Sequence, residues 1–227
     1  MGTFATRILR LLLALACMSP QRLSAGGSAG GGSVSGRVTL KKPGGGLSDP
    51  SGVVVYLEGL PIVERSDAKP AQVHQRDLQF TPPLTVVTQG AAVEFPNDDR
   101  VFHNVFSFSE AAKFDLGLYK SGSSKSVTFR RAGVVNVYCN IHPEMIAKIL
   151  VLDTSYFAVV GADGSFRIEH VPPGTYPLVA WQAYGAELHT QVTVTAGGRV
   201  DVPIELAAGP RDTRHLRKDG TPYGRYK

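Results

Sequence analysis

The sequence predicts an all-β protein assembled from sandwiches. Three observations carry this expectation. Short apolar runs rich in Val, Ile, Phe and Tyr alternate with turn clusters, Gly 25 and Pro 15 supply the turns, and no long stripe of helical period exists. Only Ser109 to Phe114 suggests a short helix. With 43% hydrophobic and 19% charged residues among 227, the chain can bury a substantial core in one or two domains. The same balance excludes low-complexity disorder for most of the chain. No apolar run reaches the roughly 18 residues of a membrane helix, which excludes a multi-span membrane protein.

Residues 1–25 read as a signal peptide. Arg7 and Arg10 precede the apolar stretch Leu11 to Ala16, and small residues follow around Ser24 and Ala25. A second reading makes Cys17 a lipoprotein attachment site, which would tether the protein to a membrane. Either way the body is expected to be periplasmic or secreted. Residues 26–33 form a Gly/Ser linker by composition.

Strand-like runs follow in order. Gly36 to Leu40 and Val53 to Leu57 lie in the segment 34–63; Leu84 to Val87, Ala92 to Phe95, Ser126 to Phe129, Val134 to Tyr138 and Ile146 to Leu152 lie in 66–153. Ser165 to Ile168, Tyr176 to Trp181, His189 to Thr195 and Arg199 to Leu206 lie in 154–207. Residues 208–227 read as a basic, flexible tail.

Charge is unevenly placed. Removing the leader takes the net charge from +5 to +2, because Arg7, Arg10 and Arg22 leave without an acid. The tail holds Arg211, Arg214, Arg217, Lys218, Arg225 and Lys227 against Asp212 and Asp219, so the folded body is slightly acidic. No stripe of Lys and Arg follows any predicted element, and nucleic acid is not an expected partner.

Without the leader, Cys139 is the only Cys and Met145 the only Met, and both fall in the segment Tyr138-Cys-Asn-Ile-His-Pro-Glu-Met145. A lone thiol in an exported chain has no disulfide partner and is open to oxidation. Phe102-His-Asn-Val105 lies upstream. Two imidazoles, one thiolate and a weak thioether are the donors of a blue-copper electron-transfer site, since sulfur holds Cu(I) and imidazole suits Cu(II). Two other readings stand beside it: a buried cysteine with an unrelated loop histidine, and a zinc site short of its fourth good donor. His74, His170, His189 and His215 show no pairing at metal spacing.

These motifs resemble the cupredoxins. Cys139-x-x-His142-x-x-Met145 after Tyr138 is similar in length to the ligand loop of amicyanin, and Gly90-Ala-Ala-Val-Glu-Phe95-Pro-Asn97 resembles the family's strand before the first histidine ligand. Gly133 to Tyr138 resembles the strand that feeds the cysteine. The resemblance spans about residues 70 to 152 and implies a Greek-key β-sandwich with one type 1 copper held by His103, Cys139, His142 and Met145. It further implies that Asn104 hydrogen-bonds near the thiolate and that Pro143 helps form an apolar rim around His142. Asp98, Asp99 and Arg100 depart from the pattern, placing charge where an apolar surface is usual.

The C-terminal half reads as a second, smaller sandwich. Asp163-Gly164, then Phe166 to Ile168, then Pro172-Pro-Gly174 and Tyr176 form a hairpin signature that resembles the regulatory-like module appended to some carboxypeptidases. The opening strands of such a module resemble Ser35-Gly-Arg-Val-Thr39 and Val53 to Leu57, on the far side of the copper segment. One expectation is that the copper domain is inserted into this sandwich, with 34–63 pairing with 154–207; two sequential domains with a break near Asp153 are the alternative. The leading functional reading is a one-electron carrier between periplasmic redox proteins, with no enzyme activity. A copper delivery or storage protein and a non-redox adhesion or binding module are the alternatives. The His-x-His pairs of a multicopper oxidase are missing, as are ligands for a second copper of the nitrite-reductase type.

Overall fold

A computed structural model describes residues 30–63, 69–211 and 215–224. The predicted leader, with Cys17, lies outside these residues. All regular structure among the described residues is β.

The chain opens with β1 (Gly32–Lys41), β2 (Leu47–Ser48) and β3 (Val54–Leu57). A run of smaller strands follows: β4 (Ala71–Gln72), β5 (His74–Arg76), β6 (Gln79–Thr81), β7 (Leu84–Thr88) and β8 (Ala92–Pro96). Next come β9 (His103–Ser109), β10 (Ala112–Tyr119), β11 (Ser124–Thr128), β12 (Gly133–Tyr138) and β13 (Ile146–Leu152). The chain ends with β14 (Phe157–Val159), β15 (Ser165–Val171), β16 (Gly174–Trp181), β17 (Leu188–Val194), β18 (Arg199–Asp201) and β19 (Ile204–Ala207).

Two sandwiches result. In the first, the sheet β10-β9-β12-β13-β7 faces β11-β8-β4 over a core that includes Val73, Phe95, Phe129, Val137 and Ile149. In the second, β1 pairs with β15 and β18 along its first half and with β2 and β19 along its second. That sheet packs on β14-β3-β16-β17 around Val34, Val55, Leu57, Phe166 and Leu178. Burying each such side chain stabilises by about 1.5–3 kcal/mol before chain entropy is counted. The neighbours β3 and β14 pair antiparallel, Phe157 opposite Tyr56, yet every strand of the first sandwich lies between them in sequence.

The run Ile149-Leu-Val-Leu152 explains how the sandwiches meet. A strand alternates faces, so Ile149 and Val151 enter the first core while Leu150 and Leu152 join Val54 and Trp181 in a third cluster. From Ile149 to Leu152 β13 is buried on both sides, which is why that stretch is continuously apolar rather than alternating.

Three expectations need correction. Ser109 to Phe114 is no helix but the turn between β9 and β10, with Ala112 opposite Ser109. Its apolar residues serve the two faces of a hairpin. Gly32 and Ser33, assigned to the linker by composition, are buried and open β1. The predicted single run from Arg199 to Leu206 splits into β18 and β19 at Val202 and Pro203, where proline lacks the N–H a ladder needs.

Candidate metal centre

β9 begins with His103, buried at the end of its strand. β12 ends at Tyr138, which pairs with both Phe106 of β9 and Ile146 of β13. The six residues between Tyr138 and Met145 therefore form a tight connection at the same end of the sheet as His103. The Cys139 N–H donates to the Met145 carbonyl (3.2 Å), and the Met145 N–H to the His142 carbonyl (3.2 Å).

The loop brings three donor atoms together. Nδ1 of His103 and Nδ1 of His142 are 3.0 Å apart, and Cys139 Sγ lies 4.0 Å from the first and 3.6 Å from the second. Metal–nitrogen and metal–sulfur bonds of about 2.0–2.3 Å, spread trigonally, put nitrogen and sulfur roughly 3.8 Å apart. The observed spacing fits one ion among them. Cys139, His103 and Met145 have no exposed surface, whereas His142 is partly exposed.

Electrostatics favour the ligating forms. Burial, then the neighbouring His103, pushes the His142 imidazole below its ordinary pKa, with Asp99 opposing weakly. A neutral imidazole is the form that binds metal. Asp99 Oδ2 accepts a 2.7 Å hydrogen bond from His103 Nε2, so the ring's other nitrogen, Nδ1, faces Cys139 and His142. Burial would raise the Asp99 carboxyl, but the Leu78 N–H, the His103 ring and the Asp77 N–H outweigh it and hold it below the usual carboxylate range.

The structure thus gathers His103, Cys139 and His142, and places Met145 fully buried in the core that also contains Cys139. Pro143 sits half-buried beside His142. Asn104 Nδ2 donates to Asp115 Oδ1 (2.7 Å). Of the acids expected to charge the rim, Asp99 turns inward to His103 and Asp98 takes His74 and Arg76. Asp99 was not singled out as a site residue; its position four before His103 is the sequence signal for it. The tail reading also needs correction, because its described residues 215–224 lie against the loop, with Tyr223 Oη donating to the Cys139 carbonyl. Net charge predicted a solvated end, and His215, Lys218 and Tyr223 are what dock it.

With the geometry in hand, comparison with known proteins adds likenesses to two families. Residues 68–152 match the family model described as copper binding proteins, plastocyanin/azurin family, and residues 147–202 match the one described as polysaccharide lyase family 4, domain II. The first stretch is thus similar to a cupredoxin domain, and copper is a metal that its His–Cys–His set fits. Neither of these two models is the carboxypeptidase-type module that the second sandwich resembles in sequence. No curated protein matches the chain. Among solved structures, the Cu(I) form of an amicyanin mutant is similar at 20% identity and TM-score 0.35, over 43% of this chain and 98% of that one. A purple cupredoxin from Nitrosopumilus maritimus is similar at 24% identity and TM-score 0.33, over 36% of this chain and 99% of that one. A copper-containing nitrite reductase from Thermus scotoductus is similar at 23% identity and TM-score 0.36, over 40% of this chain but 25% of that chain.

Proposed function

We propose that the protein is an exported one-electron carrier whose type 1 copper is held by His103, Cys139 and His142, with Met145 as a weak axial donor. The observation that carries this reading is the convergence of two Nδ1 atoms and one thiol at a buried sheet end, with only His142 partly open to solvent. Copper bound there supplies the Cu(II)/Cu(I) couple, one electron per cycle.

The chain's own residues do the rest. Asp99 fixes the tautomer and aim of His103. Val137, Ile149 and Phe95 exclude water behind Cys139, which protects the thiol from oxidation. The partly exposed His142 edge is the port for electrons, and Val101 and Phe102, exposed just before His103, offer apolar surface for a redox protein partner. In this reading the partners are periplasmic, the leader directs export, and Cys17 anchors the protein only if it is lipidated. No substrate is turned over.

The test is a visible absorption spectrum of the mature protein after adding Cu(II). An intense blue band, bleached by ascorbate and restored by an oxidant, is expected from a thiolate-bound site. A colourless protein would mean that Cys139 does not ligate copper, and the delivery or binding-module readings would take its place.

A further inference from the structure

The C-terminal segment leaves β19 in the second sandwich, where the Gly209 N–H donates to the Tyr184 carbonyl, and ends on the metal loop of the first. Three consecutive residues are engaged, Tyr138 at the end of β12 and the first two of the loop. The His215 ring stacks on Tyr138 with centroids 4.3 Å apart and planes at 17°. Tyr223 Oη donates to the Cys139 carbonyl at 2.5 Å. The Lys218 N–H donates to Asn140 Oδ1 at 2.8 Å.

The segment is built to hold this shape. Its turn is closed by Arg217 N–H to the Thr221 carbonyl and Gly220 N–H to the Arg217 carbonyl, with Gly220 at φ 81°, where a side chain would strain the backbone. Asp219 Oδ1 accepts from both the N–H and the hydroxyl of Thr221. A phenol has one proton, already given to Cys139, so the 2.9 Å contact between Tyr223 Oη and His215 Nε2 is donated by the imidazole. The second ligand strand is reached as well: Lys218 Nζ lies 2.6 Å from Asp115 Oδ2, and Asp115 Oδ1 takes the amide of Asn104, the residue after His103.

We propose that residues 215–224 are an intramolecular clamp on the metal loop, with Tyr223 as a positioning residue for Cys139. The inference rests on the copper reading above. A trigonal thiolate site must resist the tetragonal arrangement that Cu(II) prefers, and resistance comes from holding the loop. The tail holds the carbonyl of the cysteine itself and, through Asp115 and Asn104, the strand that carries His103. Loosening it lets Cu(II) relax. That weakens the blue band, lowers the reduction potential and speeds copper loss.

The experiment compares the mature chain with Tyr223→Phe and with a chain ending at Gly209, measuring blue absorbance, reduction potential and copper loss to a Cu(I) chelator. Tyr223→Phe keeps the ring and removes one neutral hydrogen bond, so copper should leave about 2- to 12-fold faster. The shortened chain should change further in the same direction on all three readouts. Variants indistinguishable from a blue parent in spectrum, potential and loss rate would overturn the clamp while leaving the copper reading intact. A parent without blue colour would overturn both.

Discussion

Asp99 Oδ2 lies 2.7 Å from His103 Nε2, and the same carboxylate caps the turn between β5 and β6. That turn is Asp77-Leu78, both at positive φ (53° and 57°), a conformation that costs about 1–2 kcal/mol per residue without glycine. Their N–H groups point at Asp99, at 2.7 and 3.0 Å. One partly buried acid therefore ties a strained hairpin, which no turn motif in the sequence announces, to the aim of a candidate metal ligand.

Asp99→Asn should weaken copper binding by about 10- to 100-fold, the usual cost of losing a partner behind a ligating imidazole. An amide cannot accept from the ring and both turn N–H groups as well as a carboxylate does. Competition against a chelator of known affinity measures the change. An unchanged affinity would mean that His103 is held by its strand alone.

Met145 has no exposed surface, so its role must be separated from its packing. Met145→Leu conserves volume and should cost less than about 1.5 kcal/mol, whereas Met145→Ala should cost about 2–5 kcal/mol. If the thioether is the axial donor, Leu removes electron density that favours Cu(II). The potential should then rise while the blue band persists. A potential identical to that of the parent would make Met145 a core residue only.

Much of this was legible in the sequence, for reasons that differ by element. Cys139 and His142 share one short loop, so their meeting is a matter of local spacing. Strands that alternate or run continuously apolar, such as β3 and β13, stood out. β9 did not, because its buried positions include His103, Asn104 and Ser107, polar residues that periodicity reads as a loop. Asp99 and Tyr223 were hidden for a different reason. Their partners lie across the fold, at Asp77 and Leu78 for one and at Cys139 for the other, and charge counts describe neither.

Gly36 shows the opposite case, a residue whose part in a sequence motif has a steric cause. It faces Phe166 across the β1–β15 ladder, and a Cβ there would sit 2.0 Å from the Val202 carbonyl oxygen. Backbone cannot yield as a side-chain tip can. Gly36→Ala should therefore destabilise the second sandwich well beyond the roughly 1 kcal/mol of an average substitution. Denaturant unfolding of the full chain checks this, and a midpoint equal to the parent's would show that β19 and its lead-in shift freely.

Tail docking should depend on acid. Burial would raise the Asp115 carboxyl, but Lys218, the Gly117 N–H and the Asn104 amide outweigh it and hold it below its ordinary range. A depressed folded value means that the stabilisation is present above the unfolded carboxylate pKa of about 3.9 and is lost as pH falls through the lower folded value. The aromatic NMR signals of Tyr223 should hold steady from about pH 7 to 5, then move toward those of Asp115→Asn below about pH 4. Signals of Asp115→Asn identical to the parent's at neutral pH would mean that this ion pair does not seat the tail.

The contact between the two sandwiches carries its own probe, because the chain's one tryptophan, Trp181, is buried there with Val54, Leu150 and Leu152. Leu152→Ala opens a cavity on the side of β13 that faces away from the metal core, and should cost about 2–5 kcal/mol. Val151→Ala deletes apolar volume one residue away on the opposite face, within the core that contains Cys139 and Met145. Thermal unfolding followed at Trp181 fluorescence and at the blue band separates the two effects. Leu152→Ala should lower the fluorescence transition first and leave the spectrum of the folded protein unchanged. Val151→Ala should lower the temperature at which the blue colour is lost. Both signals falling together by the same amount in both variants would mean that β13 transmits every loss across the interface, and that the two sandwiches unfold as one cooperative unit.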